Sequence, residues 1–526
     1  MAAQTNGVAP TSTVVSCPGK VFLAGGYLVL DRQHQGFVVA TPSRFFTVVK
    51  EAPHHAPGAP AQGAGEEDRF EVAVVSPQFD DGRWRYEARR VQGEWLVEEQ
   101  KQEGLASNSF VLLSVRAALQ VASAVKPSAS FRSLEVTIVG SNDFYSQSRT
   151  GTPIPFAPLN CTIRDVHKTG LGSSAAMVTS LTSALVLHWT GAAGGAEAPS
   201  QGRLPNPDDE TIQLLHNLAQ YVHSLAQGKV GSGFDVSTAI YGSQTYRRFA
   251  VECLGELLNP DSSNDSTITS QDLLTALSPS LNPAWTAPST AGSVSSFSLP
   301  PHTLLLLADV DAGSNTPSMV GKVLAWKKAN PDEAERVWAE LGRSNGKLRD
   351  SFAALTARAA EDPSAYEAEA ARLAGLPASE WASSSVPFAD AVSDILTIRK
   401  HIRYMGEASG VPIEPPEQTN LLDACSALPG VIGGGVPGAG GYDAIWVLCL
   451  DPSSRPSPAS SPAPVPAPAD AVEALLRSYT AMSVGPLSRT AWAKGGTVEG
   501  EKGLLRERLD EVEGLREAVA RGEAAQ

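Results

Sequence analysis

The chain lacks any apolar run of the roughly 20 residues needed to cross a bilayer, so no membrane-spanning helix is expected. Its opening residues, Met1-Ala-Ala-Gln-Thr-Asn-Gly, carry neither the basic nor the apolar region of a signal peptide. Cysteine is sparse: Cys17, Cys161, Cys253, Cys425 and Cys449 are scattered and form no C-x-x-C pair, which points to isolated reduced thiols. Positive charge is also short. Against 41 Lys and Arg stand 56 Asp and Glu, a net charge of −15, which argues against nucleic acid or an anionic membrane surface as a partner. A local cationic pocket can still take an anionic small molecule. A G-x-x-x-x-G-K-[ST] phosphate loop is missing, and the final Ala524-Ala525-Gln526 is not a peroxisomal address. These absences together predict a cytoplasmic protein working on small molecules; a monomer and a homodimer both stay open.

At 526 residues and 42% hydrophobic content the chain can form two ordinary domains with sizeable cores. Its most informative stretch is Lys168-Thr-Gly-Leu-Gly-Ser-Ser-Ala-Ala-Met177. A glycine-rich loop running straight into a helix leaves unpaired N–H groups and the positive end of the macrodipole at the helix start, an arrangement suited to phosphate. Ser173 and Ser174 add hydroxyls for phosphate oxygens or Mg²⁺, and Lys168 adds a full charge. Two other readings stand beside a bound nucleotide triphosphate. One is a plain turn before a buried helix. The other is a dinucleotide fold, since Gly170-x-Gly172-x-x-Ala175 fits G-x-G-x-x-A. That fold also needs a strand ending in an acidic residue after the helix, and here the helix runs into the strandless Gly191–Ser200.

Along the chain, strands are expected at 14–16, 38–40, 45–49, 70–75, 134–139, 303–310 and 444–450, with one or two more inside 84–97. Helices are expected at 110–124, 175–187 and 210–227, from 319 to about 410 with a break near Gly375–Pro377, and along Leu505, Leu509, Val512, Leu515 and Val519 at the C-terminus. Stretches near 52–67, 191–209, 255–299 and 452–469 are rich in Pro, Gly, Ser or Ala and read as surface insertions, the first two disordered. A strand-rich first half with helices arriving around the 168–177 loop suggests an α+β fold.

Four glycine loops stand out, at 18–26, 168–174, 228–235 and 433–442. The third ends in Asp235 after Lys229 and Ser232. Phosphoryl transfer asks the protein for charge stabilisation and alignment rather than covalent chemistry. A carboxylate beside a cation can orient or deprotonate an attacking oxygen, and Lys20 is the natural partner for Asp235. A helix cap or structural ion pair would explain Asp235 equally simply.

Three ordered stretches carry a family resemblance: Pro18-Gly-Lys-Val-Phe-Leu-Ala-Gly-Gly-Tyr27, Lys168-Thr-Gly-Leu-Gly-Ser-Ser-Ala-Ala176 and Gly435-Val-Pro-Gly-Ala-Gly-Gly-Tyr-Asp443. They resemble the three motifs of the GHMP kinase superfamily. Asn142-Asp-Phe-Tyr-Ser-Gln147, Gln227-Gly-Lys-Val-Gly-Ser-Gly-Phe-Asp235 and the Leu-Val-Leu-Asp continuation of the first motif are most similar to the fungal-type phosphomevalonate kinases. The resemblance implies a two-lobed α+β GHMP fold. An N-terminal, ribosomal-S5-like, ATP-binding lobe would span 1–245. A ferredoxin-like C-terminal lobe with extra helices would span 246–526.

The resemblance also implies ATP and Mg²⁺ as cofactors and 5-phosphomevalonate as substrate, converted to 5-diphosphomevalonate in the mevalonate pathway to isoprenoids and sterols. Lys20 and Asp235 would be catalytic. Lys168, Gly170, Leu171, Gly172, Ser173, Ser174 and Ala175 would hold ATP, with the 142–147 stretch, Asn142 first, on its adenine side and Ser173 or Ser174 on Mg²⁺. Lys229, Ser232, Arg149 and the 313–318 loop (Ser314, Asn315, Thr316, Ser318) would bind the substrate's anionic groups. The 438–441 glycines would shape the site from beside the phosphate loop. Alternatives within the superfamily are mevalonate kinase, diphosphomevalonate decarboxylase or another small-molecule kinase. Outside enzymes the alternative is a non-catalytic ligand sensor.

Overall fold

The computed structural model describes residues 12–52, 69–146, 154–191, 208–258, 268–310, 316–382, 385–452, 466–491 and 502–525. In chain order its elements are β1 (Thr13–Ala24), β2 (Gly36–Glu51), β3 (Arg69–Val75), β4 (Arg83–Val91), β5 (Glu94–Glu99), α1 (Ser109–Val125), β6 (Leu134–Gly140), α2 (Ser173–Thr190), α3 (Asp209–Gln227), α4 (Phe234–Tyr241), β7 (Gln244–Arg247), α5 (Ser270–Leu277), β8 (Ser293–Ser296) and β9 (Thr303–Val310). There follow α6 (Thr316–Ala329), α7 (Pro331–Glu361), α8 (Pro363–Leu373), α9 (Val386–Ser409), α10 (Pro416–Ser426), β10 (Val431–Gly435), β11 (Ala444–Leu450), α11 (Pro468–Ser478), β12 (Val484–Ala491), β13 (Leu505–Glu507) and α12 (Leu515–Ala525).

The larger sheet runs β13-β1-β2-β6-β3-β4-β5, with β7 pairing β2 and β8 pairing β7. Only β3–β6 is parallel among these pairs. Side chains alternate across it, as the two-residue strand period requires. Val15, Cys17, Phe45 and Val49 face the main core with α1 and α2, while Val14, Phe46 and Val48 face α12 through Leu515, Ala518 and Val519. The α2 helix is buried on nearly every side, with 13 buried residues. It fits because α1, α3 and α4 surround it on the face away from the sheet. The smaller sheet, β10-β11-β9-β12, is antiparallel. Leu304, Leu306 and Ala308 of β9 face α10 and α11 on one side, and Leu305 and Leu307 face the main core on the other.

Several expected elements take another form. The 18–24 part of the first glycine loop is strand: β1 continues through Pro18 and Gly19 because the ladder with β2 shifts register between Pro18 and Lys20. The strands expected at 38–40 and 45–49 are one long β2. Gly433–Gly435 is strand β10, because Ile395, Leu422 and Trp446 fill the space that side chains there would need. The C-terminal face from Leu505 to Val519 is not one helix. Leu505–Glu507 pairs with Val14–Ser16 of β1 as an edge strand, and the helix begins only at Leu515. The 255–299 stretch is short-elemented, as expected, yet α5 docks, burying Leu273 and Leu277. The 52–67, 191–209 and 452–469 stretches lie mostly outside the described residues; the tail of the last opens α11, where Pro468 and Ala469 are buried.

Chain from beyond residue 246 returns to the larger sheet as β8 and β13. Leu504 N–H donates to Ile240 O at the end of α4 (2.9 Å). Arg44 donates to Ser16, Lys502 O and Gly503 O. The two sheets also meet at the first and third motifs. Tyr27 OH donates to Ala439 O (2.8 Å), and Gly26 lies directly against Gly438 O.

Candidate active site

The phosphate-loop candidate sits where β1, α2 and the 436–443 loop converge. Gly172 caps α2 with φ 78°, a left-handed conformation that side chains resist. The first helical hydrogen bond is Ala176 N–H to Gly172 O (3.1 Å), so the N–H groups of Ser173, Ser174 and Ala175 precede it and point out of the helix start. Ala175 itself is buried against Ala219 of α3 and Val236 of α4, so only its backbone can serve a ligand. Leu171 is likewise buried; its carbonyl accepts from Lys20 N–H (2.9 Å).

Lys20 reaches across this loop. Its Nζ donates to Gly170 O (2.8 Å) and lies 5.5 Å from the Phe234 ring centre, while its methylenes cover Gly172. Desolvation lowers the ammonium below the ordinary lysine range, and the charges of Asp235 and Asp443 pull it back up. Asp235 stands in the first turn of α4, half-buried, with Oδ1 accepting from Val236 N–H (3.0 Å). Asp443 closes the other side: its Cβ lies 3.9 Å from the position a Gly170 side chain would take. Lys20, Asp235, Asp443 and the α2 start therefore form one cluster, an arrangement of one cation, two carboxylates and free N–H groups. Gly441 N–H donates to Ile413 O (2.8 Å), and Gly440, at φ 73°, packs directly on that carbonyl. The 436–443 loop is held there from behind by a buried ion cluster: Arg399 and Arg403 both bond Glu414 (2.7 and 2.8 Å), whose side chain is fully buried.

A cleft of about 340 Å³ opens beside the α2 start. Lys168, Ser173, Ser174 and Met177 line one side, and Phe79, Trp84, Phe110 and Tyr145 give it an aromatic end. The start of α1 opens on the same cleft, its cap Asn108 accepting from Phe110 N–H (3.1 Å) and Val111 N–H. Two helix N-termini thus favour negative charge in one space. Of the aromatic end the sequence reading held only Tyr145, within the 142–147 stretch expected on the adenine side; it missed Phe79, Trp84 and Phe110 there, and Asp443. Phe110 was visible there only as one member of a helix face, and Asp443 only as the last residue of the third motif.

The remaining candidates fall in different places. Asn142 is absent from the cleft lining; its amide donates to Ile154 O (2.8 Å) and accepts from Ala157 N–H (3.0 Å). Lys229 is exposed just after the Gly228 cap of α3. Ser232 is half-buried, with its carbonyl accepting from Tyr246 OH (2.8 Å). Arg248, which the sequence reading did not single out, fastens the same loop by donating to Val230 O and Gly231 O (3.1 and 2.6 Å). Thr316 opens α6 and Ser318 lies exposed in its first turn. Arg149, Ser314 and Asn315 lie outside the described residues.

Mg²⁺ suits the donor set at the α2 start. That ion takes few protein oxygens and keeps waters and substrate phosphates. Two serine hydroxyls without a carboxylate cage are such a set; among the described residues no group of three or more His, Cys, Asp or Glu is arranged to hold a metal ion.

Comparison with known proteins bears on the fold and the family. The GHMP kinases C-terminal family model matches residues 388–459. The structure of Streptococcus pneumoniae phosphomevalonate kinase in complex with phosphomevalonate and AMPPNP shares the fold, with a TM-score of 0.54 at 14% identity, covering 90% of this chain and 98% of that one. The fold is one shared with that kinase, and the family model points to the GHMP type over residues 388–459. The phosphomevalonate kinase of Aspergillus fumigatus is 38% identical over 472 residues, 84% of this chain and 88% of the relative. That of Candida albicans is 33% identical over 446 residues, 84% and 90% of the two chains. The chain belongs to the phosphomevalonate kinase family.

Proposed function

We propose that the chain transfers the γ-phosphoryl group of ATP to the phosphate of 5-phosphomevalonate, giving ADP and 5-diphosphomevalonate. The observation that carries this reading is the convergence of Lys20, Asp235 and the open N–H groups of α2 at one point, beside an aromatic-ended cleft. The nucleotide phosphates would lie on the N–H groups of Ser173–Ala175, and the base among Phe79, Trp84, Phe110 and Tyr145. Ser173 and Ser174 would hold Mg²⁺, which supplies charge neutralisation on the phosphate oxygens. Lys20 would offset the charge that builds between donor and acceptor.

An oxygen of the acceptor phosphate forms the new bond to the γ-phosphorus, and the bond to the β–γ bridging oxygen breaks with ADP leaving. The acceptor is already largely ionised near neutral pH, so Asp235 acts by orientation and field rather than by removing a proton. A kcat profile with an essential base titrating at about pH 7 would contradict that role. Lys229, Ser232 and the 313–318 loop would take the acceptor's carboxylate and phosphate. The lobe division at residues 245 and 246, with a cleft between an ATP-binding lobe and a C-terminal lobe, belongs to the same proposal, as does a cytoplasmic location. Among the described residues no helix is long and apolar enough to cross a membrane.

The test is ADP release measured with mevalonate, its 5-phosphate and its 5-diphosphate in parallel. Turnover is expected with the 5-phosphate alone; turnover only with unphosphorylated mevalonate would overturn the proposal.

A further inference from the structure

Resting on the acceptor reading above, we propose that Arg248 and Tyr246 are positioning residues for the acceptor, turning the peptide groups of residues 230–233 so that their N–H groups face its phosphate. The two side chains stand two positions apart where β7 ends, which sends them to one side of the strand. Both reach the loop between α3 and α4. Nη2 of Arg248 donates to Val230 O (3.1 Å) and Gly231 O (2.6 Å), and Nη1 to Leu30 O (3.3 Å). Tyr246, buried beside Phe22 of β1, donates from its hydroxyl to Ser232 O (2.8 Å). The next carbonyl, Gly233 O, accepts from the buried Gln220 amide (2.7 Å). Four carbonyls in a row are thus taken by side chains.

The described peptide bonds are trans, and in a trans peptide group the N–H points opposite to the C=O. The N–H groups of Gly231, Ser232 and Gly233 therefore point away from Arg248 and Tyr246. None of them donates to a described residue, and Gly233 is itself buried, where an unpaired donor is costly. An anion is the partner that completes such a run of backbone donors. Asp235 follows two residues after Gly233, so an anion held here lies beside the carboxylate assigned to the attacking oxygen, and that like charge has to be offset. Arg248 supplies the offset. Its hydrogen-bond partners among the described residues are all neutral carbonyls, so its charge polarises those peptide groups and strengthens the N–H donors at their far ends. Glu252 attracts the guanidinium without a hydrogen bond to it. Neither Arg248 nor Tyr246 touches the acceptor in this account; both act through the loop.

The test is steady-state kinetics of the full chain with ATP and 5-phosphomevalonate, each varied in turn, for wild type, Arg248→Met, Arg248→Lys and Tyr246→Phe, with thermal unfolding of each. Arg248→Met should raise the acceptor KM by about 10-fold or more and leave the ATP KM unchanged. Arg248→Lys, which keeps the charge without the planar fork, should fall between wild type and Arg248→Met. Tyr246→Phe, which removes one hydroxyl and keeps the ring, should raise the acceptor KM by about 3-fold, again with the ATP KM unchanged. If Arg248→Met does not fold, Arg248→Lys and Tyr246→Phe decide the matter. The inference alone is overturned if wild type turns over the 5-phosphate and the folded variants keep its acceptor KM. It is overturned equally if they raise the ATP KM as much as the acceptor KM, the mark of a purely structural role. No turnover of the 5-phosphate by wild type overturns the acceptor reading and this inference together.

Discussion

At the proposed nucleotide end of the site, the candidate groups sit on regular elements: the starts of α1 and α2, the strand that carries Lys20, and the 436–443 loop clamped by Ile413. At the proposed acceptor end they sit on loops. Lys229 stands exposed beyond the end of α3, and the 230–232 backbone is tied down by Arg248 and Tyr246. Phosphates share one chemistry, so backbone N–H groups and a dipole recognise them wherever they are bound. Telling one phosphorylated acceptor from another takes side chains at set distances, and loops carry that variation. The same scaffold can therefore keep one end and change the other.

Mutations at the two ends should separate accordingly. The largest effect is expected behind the 436–443 loop. Glu414→Ala would leave buried Arg399 with only the exposed Asp423 as ion-pair partner and should cost about 3 kcal/mol of stability, read by denaturant unfolding. Lys20→Met should lower kcat by roughly 10²–10³-fold without unfolding the chain, read by steady-state kinetics and circular dichroism. Lys229→Met should raise the acceptor KM by about 10-fold, near 1.4 kcal/mol, with the ATP KM unchanged. Phe110→Ala should do the reverse at smaller size, raising the ATP KM by roughly 5-fold through lost stacking of about 1 kcal/mol. If Lys229→Met instead moves the ATP KM, or Phe110→Ala the acceptor KM, the two ends are not the separate devices described here.

The nucleotide end was the more legible in the sequence. Loop glycines, serines and helix formers are contiguous at 168–187, and α3 announces itself by its apolar spacing and Gly228. What escaped was set by partners far along the chain. Pro18 and Gly19 look like a turn, but pairing with β2 absorbs them through a register shift. Gly433–Gly435 looks like a loop, but the pressing side chains of Ile395, Leu422 and Trp446 make glycine the residue a strand needs there. Leu505 and its successors share a helical spacing, yet the free edge of β1 claims the first three residues as a strand. In the site, the convergence of Phe79, Trp84, Phe110 and Tyr145 comes from four separate segments, and no local pattern encodes it. Asn142 was plausible by motif, and its amide is committed to the 154–157 backbone.

The central claim is that Asp235 works on the acceptor, at the point where both ends meet, and not on the nucleotide. Turnover and AMPPNP affinity of Asp235→Asn, measured side by side, test it most directly. The account predicts a kcat reduced by roughly 10²-fold or more with AMPPNP affinity close to wild type. Full activity in that variant, or a parallel collapse of nucleotide binding, would contradict it.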